Sequence, residues 1–196
     1  MAIDNFPAFI LSHYEVREWR HASAILEKDF SQEWQDLSNV LSKFRLTKSD
    51  VMTPGGWKSP IAQRIDKLFN ALGWREKSFD TKVVVDQLEM QSPTHKVDLY
   101  KNYVGIETEW NNKDPFFDRD LNNFRLLFNL RAISVGIIIT RCDELQEIFD
   151  NLGKGKSYGP STTHMSKLLP RLEGGSGGGC PVLVFGISKK LYLEDQ

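Results

Sequence analysis

The chain has 196 residues, of which 40% are hydrophobic and 26% charged, and its formal net charge is −1. This length and composition predict one globular domain with a substantial hydrophobic core. The near-neutral charge does not by itself indicate a nucleic-acid-binding protein. The two cysteines, Cys142 and Cys180, are too few and too far apart for a disulfide framework or a zinc site. Because the sequence also has no apolar run of about 18 residues and no secretory signal at its start, we expect a reduced, cytoplasmic protein without a membrane span.

Charge is unevenly distributed along the chain. Residues 151–190 contain six basic side chains but only one acidic side chain, Glu173. The basic residues are Lys154, Lys156, Lys167, Arg171, Lys189 and Lys190. A basic segment beside an acidic cluster suits a bound polyanion, but a solvated surface would explain the same pattern equally well.

The first 50 residues are predicted to be mainly helical. Tyr14 to Phe30 mixes charged and apolar residues in a helix-like pattern. Ser31 is placed to cap a second helix, whose apolar residues recur at helical spacing: Trp34, Leu37, Leu41 and Phe44. We interpret these side chains as core rather than cofactor contacts. Thr47 to Lys58 is predicted to be a loop, broken by Pro54-Gly55-Gly56.

The middle of the chain has clear signals for a helix and two strands. Ser59 is a good N-cap, Pro60 suits the first helical turn, and Gly73 is placed to end that helix. Strands are predicted over residues 74–79 and 82–90, the second containing the β-branched run 83–85.

The last third of the chain alternates helices with strands. A helix capped by Asp118 should run to about Arg131, followed by an apolar strand over 132–140 that is covered on both faces. A helix over 143–152 should end at Gly153, and a long loop, a short helix over 165–172 and a strand over 181–187 follow. Together the elements predict an α/β (α+β) fold, in which helices flank a central mixed β-sheet.

The stretch from His95 to Trp110 predicts a β-hairpin with a tight turn at Lys101-Asn102. Because strand side chains alternate between faces, Glu107 and Glu109 should point the same way. The turn would bring Asp98 back beside Glu107. The predicted acidic face also includes Tyr103 and Gly105, and the predicted core face consists of Val104, Ile106 and Thr108.

Three carboxylates at one place would repel one another unless a cation neutralised them. Hard oxygen ligands that stay partly open to water suit Mg²⁺. The alternative is that these acids form only the solvated face of an amphipathic strand.

Other motifs do not fit their required structural context. Residues 174–178 match G-x-S-x-G, but a helix precedes the serine and a strand follows it, which reverses the order of a nucleophile elbow. Residues 155–157 resemble the end of a P-loop, but the required earlier glycine is Asp150. The four histidines lack metal-ligand spacing, and Cys142 opens a helix, which could lower its pKa, but has no indicated histidine partner. The three acids are also too crowded for a glycosidase acid and base on opposite sides of a sugar.

Several segments occur in an order that is typical of one enzyme group. They are the Ser59-Pro60 helix ending at Gly73-Trp74, Asp98, Ile106-Glu107-Thr108-Glu109, the helix around Leu145, Gly155-Lys156-Ser157-Tyr158, and 181–187. On these segments the chain resembles the PD-(D/E)xK nuclease core. More closely, it resembles the BglII/BstYI group of type II restriction endonucleases, with BamHI as a more distant relative. The resemblance implies a single endonuclease domain over 1–196, with a helical N-terminal part over 1–50 and a catalytic core over 57–187.

The resemblance also implies roles for individual residues. Asp98 and Glu107 would hold one or two Mg²⁺ ions against the scissile phosphate, and Glu109 would orient or deprotonate the attacking water. Glu76 would be an auxiliary catalytic residue, although an exposed strand glutamate is an equal interpretation. Val97 stands where the family motif has proline, and Glu109 stands where most of the superfamily has lysine. No catalytic lysine is then available, and the general base stays open between Glu109, a metal-bound water and the substrate phosphate.

Two loops are implied to lie near DNA. The predicted contacts are Asn111, Asn112, Lys113 and Asp114 after the catalytic strand, and Lys154, Lys156, Ser157 and Tyr158 in the basic loop. Asparagine and lysine suit adenine and guanine edges, but they also suit phosphates.

The implied protein is a bacterial, cytoplasmic homodimer that cuts double-stranded DNA at a short palindrome, GATC-centred in its relatives, and leaves 5′-phosphate ends. The dimer helices are expected among the apolar helices flanking the core, and a cognate DNA methyltransferase could accompany the enzyme. Two alternatives stay open: a repair or nicking nuclease of relaxed specificity, and a non-catalytic DNA-binding module whose acids are structural.

Overall fold

A six-stranded mixed sheet lies at the centre of the computed structural model, which describes residues 2–54, 58–92 and 96–195. In space its strands follow the order β1-β9-β8-β7-β6-β3. Strands β7, β8 and β9 are parallel to one another, whereas β1, β6 and β3 are antiparallel to their neighbours. Two small two-stranded sheets, β2 with β10 and β4 with β5, complete the β-structure of the described residues.

The element bounds are as follows. The strands are β1 Tyr14–Trp19, β2 Leu46–Thr47, β3 Arg75–Lys77, β4 Thr81–Val85, β5 Leu88–Ser92, β6 Val97–Lys101, β7 Val104–Thr108, β8 Val135–Arg141, β9 Val182–Ile187 and β10 Tyr192–Leu193. The α-helices are α1 Ala8–His13, α2 Ala22–Asp29, α3 Ser31–Lys43, α4 Lys48–Met52, α5 Pro60–Asn70, α6 Phe116–Asn129, α7 Leu145–Asn151 and α8 Met165–Glu173. Short 3₁₀ helices span Ala2–Asn5 and Lys189–Leu191.

Helices cover both faces of the central sheet. Helices α1 to α5 and α7 pack on one face, where Ile106, Ile137 and Phe185 are buried. Helices α6 and α8 pack on the other face, where Ile138 and Val184 are buried. The predicted α/β fold with a mixed sheet between helices is therefore confirmed. None of the helices in the described part of the chain is long and apolar enough to cross a membrane.

The prediction of one helix from Tyr14 to Phe30 is wrong for its first part. Tyr14–Trp19 forms β1, an edge strand antiparallel to β9. Tyr14 packs into the core on one face of the sheet, and Trp19 packs on the other. Arg20 and His21 then adopt positive φ angles of 57° and 56°, which turn the chain into α2. Pairing with β9 thus outweighs the weak helical pattern of this segment.

Three further boundaries differ from prediction. The predicted loop over 47–58 contains helix α4, stabilised by a capping box between Thr47 and Asp50. The predicted strand over 82–90 is the β4–β5 hairpin, which turns where Asp86 has φ 54°. Helix α6 begins at Phe116 with Pro115 at its N-cap, so Asp118 lies in the first turn and does not cap the helix.

Several predicted elements are confirmed by the structure. The Ser59 hydroxyl accepts a hydrogen bond from the Ala62 N–H at 3.1 Å, and Gly73 adopts φ +91° after α5. Ser31 begins α3, although Phe30 is its N-cap. All residues of β8 are buried, as expected of a strand covered on both faces. The predicted break at Gly55-Gly56, the first residue of the predicted core (57) and His95 lie outside the described residues.

A pair of glycines lets α6 approach the sheet closely. Gly105 of β7 and Gly136 of β8 are partners in the parallel register. The Phe124 ring lies over both, because a Cβ on Gly136 would overlap that ring and a Cβ on Gly105 would lie 3.5 Å from its Cε1 atom. Phe124 is fully buried. The glycine pair therefore determines how close α6, and every side chain it carries, comes to β7.

Gly136→Ala is expected to lower the free energy of unfolding by about 1–3 kcal/mol, because the new methyl group must displace a fully buried ring. Gly105→Ala is the matched control, since its methyl group would meet Val97 Cγ1 at 3.2 Å and needs only a small adjustment. Urea unfolding of both variants measures the difference. Equal stability of the two variants would contradict the close approach of Phe124 to Gly136.

Candidate active site

The β6–β7 hairpin places Asp98 opposite Glu107. Leu99 pairs with Ile106, so the preceding residue of β6 and the following residue of β7 stand next to each other. The Asp98 carboxylate accepts a hydrogen bond from the Thr108 N–H at 3.4 Å. The turn is centred on Asn102-Tyr103, one residue later than predicted, with φ angles of 42° and 64°. Two positive φ angles are typical of a tight hairpin turn that matches the strand twist.

The acidic face of β7 is buried, so the interpretation as a solvated strand face is wrong. Glu107 and Glu109 are each only 2% exposed. Val104 and Ile106 lie in the core on the opposite face, as predicted, whereas Tyr103 belongs to the turn. Carboxylates at this depth cost free energy unless a partner or cation compensates them, which distinguishes this site from an ordinary amphipathic strand.

Helix α6 covers the acidic face and adds a fourth carboxylate, Asp120. Phe124 lies over Gly105, and Asp120 is one helical turn before Phe124. Asp120 is 1% exposed, and its charge acts on both Glu107 and Glu109. Reasoning from the sequence missed this residue. The available signal was an acid on the apolar side of a helix, one residue before the buried Leu121.

Arg119 balances part of this negative charge. Its Nη2 atom lies 2.7 Å from Asp120 Oδ1 and 3.3 Å from Glu109 Oε1. The other oxygen of the Glu109 carboxylate accepts a hydrogen bond from Asn112 Nδ2 at 2.7 Å. Glu109 is thus held on both sides, and Asn112, whose contact with DNA stays a prediction, orients the carboxylate.

The protonation of the buried acids follows from their surroundings. Burial, followed by the charges of Asp120, Asp98 and Glu109, raises the pKa of Glu107 well above its ordinary value. Burial and the neighbouring Asp120 raise the pKa of Glu109 to about 9. Burial also raises the pKa of Asp120. The protein alone therefore tends to hold protons here at neutral pH.

The donor set fits a cation that takes only part of its ligands from protein. Within the described ranges no group of three or more His, Cys, Asp or Glu side chains could hold a metal ion, so the predicted convergence of three carboxylates on one ion is absent. Asp98 and Glu107 remain as two adjacent carboxylates. The Glu107 carboxylate makes no hydrogen bond or ion pair with any described residue, and Asp98 keeps 29% of its side chain exposed. Mg²⁺ is commonly bound by one or two carboxylates together with water and substrate phosphates.

Glu76 is exposed, in contrast to Glu107 and Glu109. It is in the edge strand β3, with 60% of its side chain exposed, and it forms an ion pair with Lys96 at 3.0 Å. Its charge acts on Asp66 of α5. Glu76 therefore lies exposed on the strand next to β6, and its auxiliary catalytic role stays a prediction.

The two loops that were predicted to lie near DNA are joined to each other. The Asn112 backbone N–H donates to Thr163 Oγ1 at 3.2 Å, and the Thr163 N–H donates to the Asn112 carbonyl at 2.8 Å. Lys113 forms a β-bridge with Thr162, and the Asp114 N–H donates to the Ser161 carbonyl at 3.1 Å. The first loop follows β7 and Glu109 directly, whereas the second follows α7, so these contacts hold the second loop against the segment after Glu109.

The side chains of these loops differ in exposure. Lys113, Lys156 and Ser157 are exposed, whereas Asn111, Asn112, Asp114 and Lys154 are half-buried. Tyr158 is buried, with its ring stacked 4.0 Å from that of Phe149, so it packs the loop against the core and does not face solvent.

Part of the basic segment over 151–190 is neutralised by local acids. Arg171 lies 2.8 Å from Asp118 and 3.6 Å from Asp114, and Lys167 lies 4.0 Å from Asp114. These contacts connect α8 to α6 and to the loop after β7. Lys167 and Arg171 therefore hold the loop after β7 against α8.

Cys142 has no features of a reactive thiol. Both cysteines are free and buried. Burial raises the pKa of Cys142 to about 12, contrary to the lower value that a helix start could produce.

Comparison with known proteins gives the chain a family. A family model described as restriction endonuclease BglII/BglIII matches residues 14–187, from the start of β1 to the end of β9. The match therefore covers the whole central sheet, including the β6–β7 hairpin that carries the acids, and both joined loops. No curated protein matches the chain. The chain belongs to the BglII/BglIII family of restriction endonucleases, which are type II enzymes that act on DNA.

Proposed function

We propose that this protein is a Mg²⁺-dependent endonuclease that cuts both strands of DNA at a short palindromic site and leaves 5′-phosphate ends. The observation that carries the proposal is the pair Asp98 and Glu107, held opposite each other on the β6–β7 hairpin of a restriction endonuclease. Burial makes the Glu107 carboxylate costly to ionise, and a divalent cation held beside the partly exposed Asp98 would offset that cost.

In this proposal Asp98 and Glu107 hold one or two Mg²⁺ ions. A bound ion would stabilise negative charge on the phosphate and lower the pKa of the attacking water. Glu109, fixed between Asn112 and Arg119, orients that water by accepting a hydrogen bond from it. The pKa of about 9 favours the protonated form of Glu109 in the protein alone. The substrate phosphate or a second water is therefore an alternative acceptor of the proton.

Recognition of the site is assigned to the joined loops. The side chains of Asn111, Lys113, Lys156 and Ser157 suit base edges or phosphates, and all four are at least partly exposed. One active site cuts one strand, so cleavage of both strands at a palindrome requires a twofold homodimer. A GATC-centred site and a partner methyltransferase follow from the family alone.

Digestion of long, unmethylated double-stranded DNA tests the proposal. Discrete fragments are expected with Mg²⁺ and none with EDTA, and sequencing the ends should reveal one palindromic site together with its cleavage offset. Folded protein that binds DNA but does not cut it with Mg²⁺ or Mn²⁺ would contradict the proposal. Random nicks in one strand would instead favour a nuclease of relaxed specificity.

A further inference from the structure

Lys58 lies where the start of α5 meets the acidic site. Its backbone is held in place, since Gln63 Nε2 donates to the Lys58 carbonyl at 2.9 Å and the next residue, Ser59, caps the helix. The side chain therefore projects from a defined point beside β6. Helix α5 itself is anchored in the core by Ile61 and Ile65, which are buried.

The ammonium group of Lys58 contacts two carboxylates. It forms a close ion pair with Asp66 of α5, and it lies 3.5 Å from Asp98 Oδ1. Only 32% of the Lys58 side chain and 15% of the Asp66 side chain are exposed. The Asp66 Oδ1 atom is buried and has no hydrogen-bond partner among the described residues. Asp66 is therefore an anchor that keeps the ammonium group next to Asp98.

This contact matters because the site is strongly acidic. Arg119 is directed at Glu109 and Asp120, on the α6 side of the hairpin. In the described part of the chain, Lys58 is the one lysine or arginine in contact with Asp98. A DNA phosphate that approaches Asp98 meets repulsion from the carboxylates, and a partly exposed ammonium group with three N–H donors can offset it.

We infer that Lys58 contacts a non-bridging oxygen of the DNA phosphate next to Asp98, and that Asp66 positions it there. The inference rests on the proposed function, because it takes Asp98 as the residue nearest the scissile phosphate. Glu109 carries no positive charge, so in this inference Lys58, just before α5, supplies the cation beside Asp98. The competing interpretation is an ordinary surface ion pair, of which Lys28 with Glu27 in α2, at 3.4 Å, is an example.

The salt dependence of DNA binding in EDTA is the first test, since it needs neither metal nor cleavage. The duplex carries the mapped cleavage site, or a GATC-centred hexanucleotide if no site is cut. For Lys58→Ala, the slope of log affinity against log salt is expected to fall by about 0.9 for each lost phosphate contact. Lys58→Arg and the control Lys28→Ala should keep the wild-type slope.

Single-turnover cleavage at saturating DNA is the second test. Lys58→Ala is expected to be slower by roughly 10²-fold, in the range found for removal of one donor to a reacting group. Lys58→Arg should recover part of the rate, and Lys28→Ala should stay within about twofold of wild type. Because Lys58→Ala leaves Asp66 without its partner, the double variant Lys58→Ala/Asp66→Asn separates loss of the cation from loss of stability.

The possible outcomes distinguish this inference from the proposed function. An unchanged salt slope in both Lys58→Ala and the double variant, with folded protein, would overturn the phosphate contact even if the wild type cuts DNA. If Lys58→Ala reduces the slope but the wild-type protein cuts no DNA, the contact would be supported and the proposed function rejected. A protein that binds no DNA would overturn both.

Discussion

Glu107→Gln is expected to slow DNA cleavage by about 10³-fold or more while leaving the protein folded and able to bind DNA. Glutamine has nearly the same volume as glutamate, so the buried position between β7 and α6 stays filled. The substitution removes the negative charge that would help hold Mg²⁺ beside Asp98. The rate is measured with Mg²⁺ on the mapped site, and DNA binding is measured in EDTA.

The matched control is Glu147→Gln in α7. Glu147 is 69% exposed and pairs with Lys189 at 3.5 Å on the protein surface. Its substitution should leave cleavage within about twofold of wild type. If Glu107→Gln cut DNA at the wild-type rate, the pair Asp98 and Glu107 would not be the metal site, and the function proposed here would lose its main support.

Without divalent cations, the free energy of unfolding is expected to fall as the pH rises from about 5 to 9. The pKa of Glu109 is raised from 4.5 to about 9 in the folded protein, and the pKa values of Glu107 and Asp120 are also raised. Between the two pKa values the folded protein keeps a proton that the unfolded chain releases. The stability contributed by that proton is complete below the unfolded pKa and is lost as the pH rises towards the folded pKa, at up to about 1.4 kcal/mol per pH unit for each group.

Glu109→Gln should flatten this slope and make the protein more stable than wild type at pH 8, because a neutral amide pays no cost of ionisation in the buried site. Urea unfolding at pH 5, 6.5 and 8 in EDTA measures the effect, with Glu147→Gln again as the control. Mg²⁺ should reduce the wild-type slope, since a cation favours the charged carboxylates, and this reduction should be smaller in Glu107→Gln. Wild-type stability that rises from pH 5 to 8 would show that the buried acids are ionised without a metal.

Features that depend on residues close together in the chain, such as helix caps and strand alternation, were predictable from the sequence. Ser59 and Pro60 begin α5 as expected, and the alternation from Asp98 to Glu109 predicts the hairpin and the pairing of Asp98 with Glu107. The family followed from the order of these short segments along the chain, and the match over 14–187 confirms it. Predictions failed where a distant partner decides the structure, as for Tyr14–Trp19, which becomes a strand by pairing with β9.

By itself, the sequence determined the fold class, the family and the three carboxylates of the hairpin, because caps, turns and alternation are local properties of the chain. Only the tertiary structure decided that two of them, Glu107 and Glu109, are buried. Phe124 packs against Gly105 and Gly136, and this close packing brings α6 next to the hairpin. Asp120 and Arg119 of α6 thereby become part of the site. Only the tertiary structure decided that Lys58 meets Asp98, because residues far apart in sequence come together through packing of α5 on the sheet, and no local pattern encodes that distance.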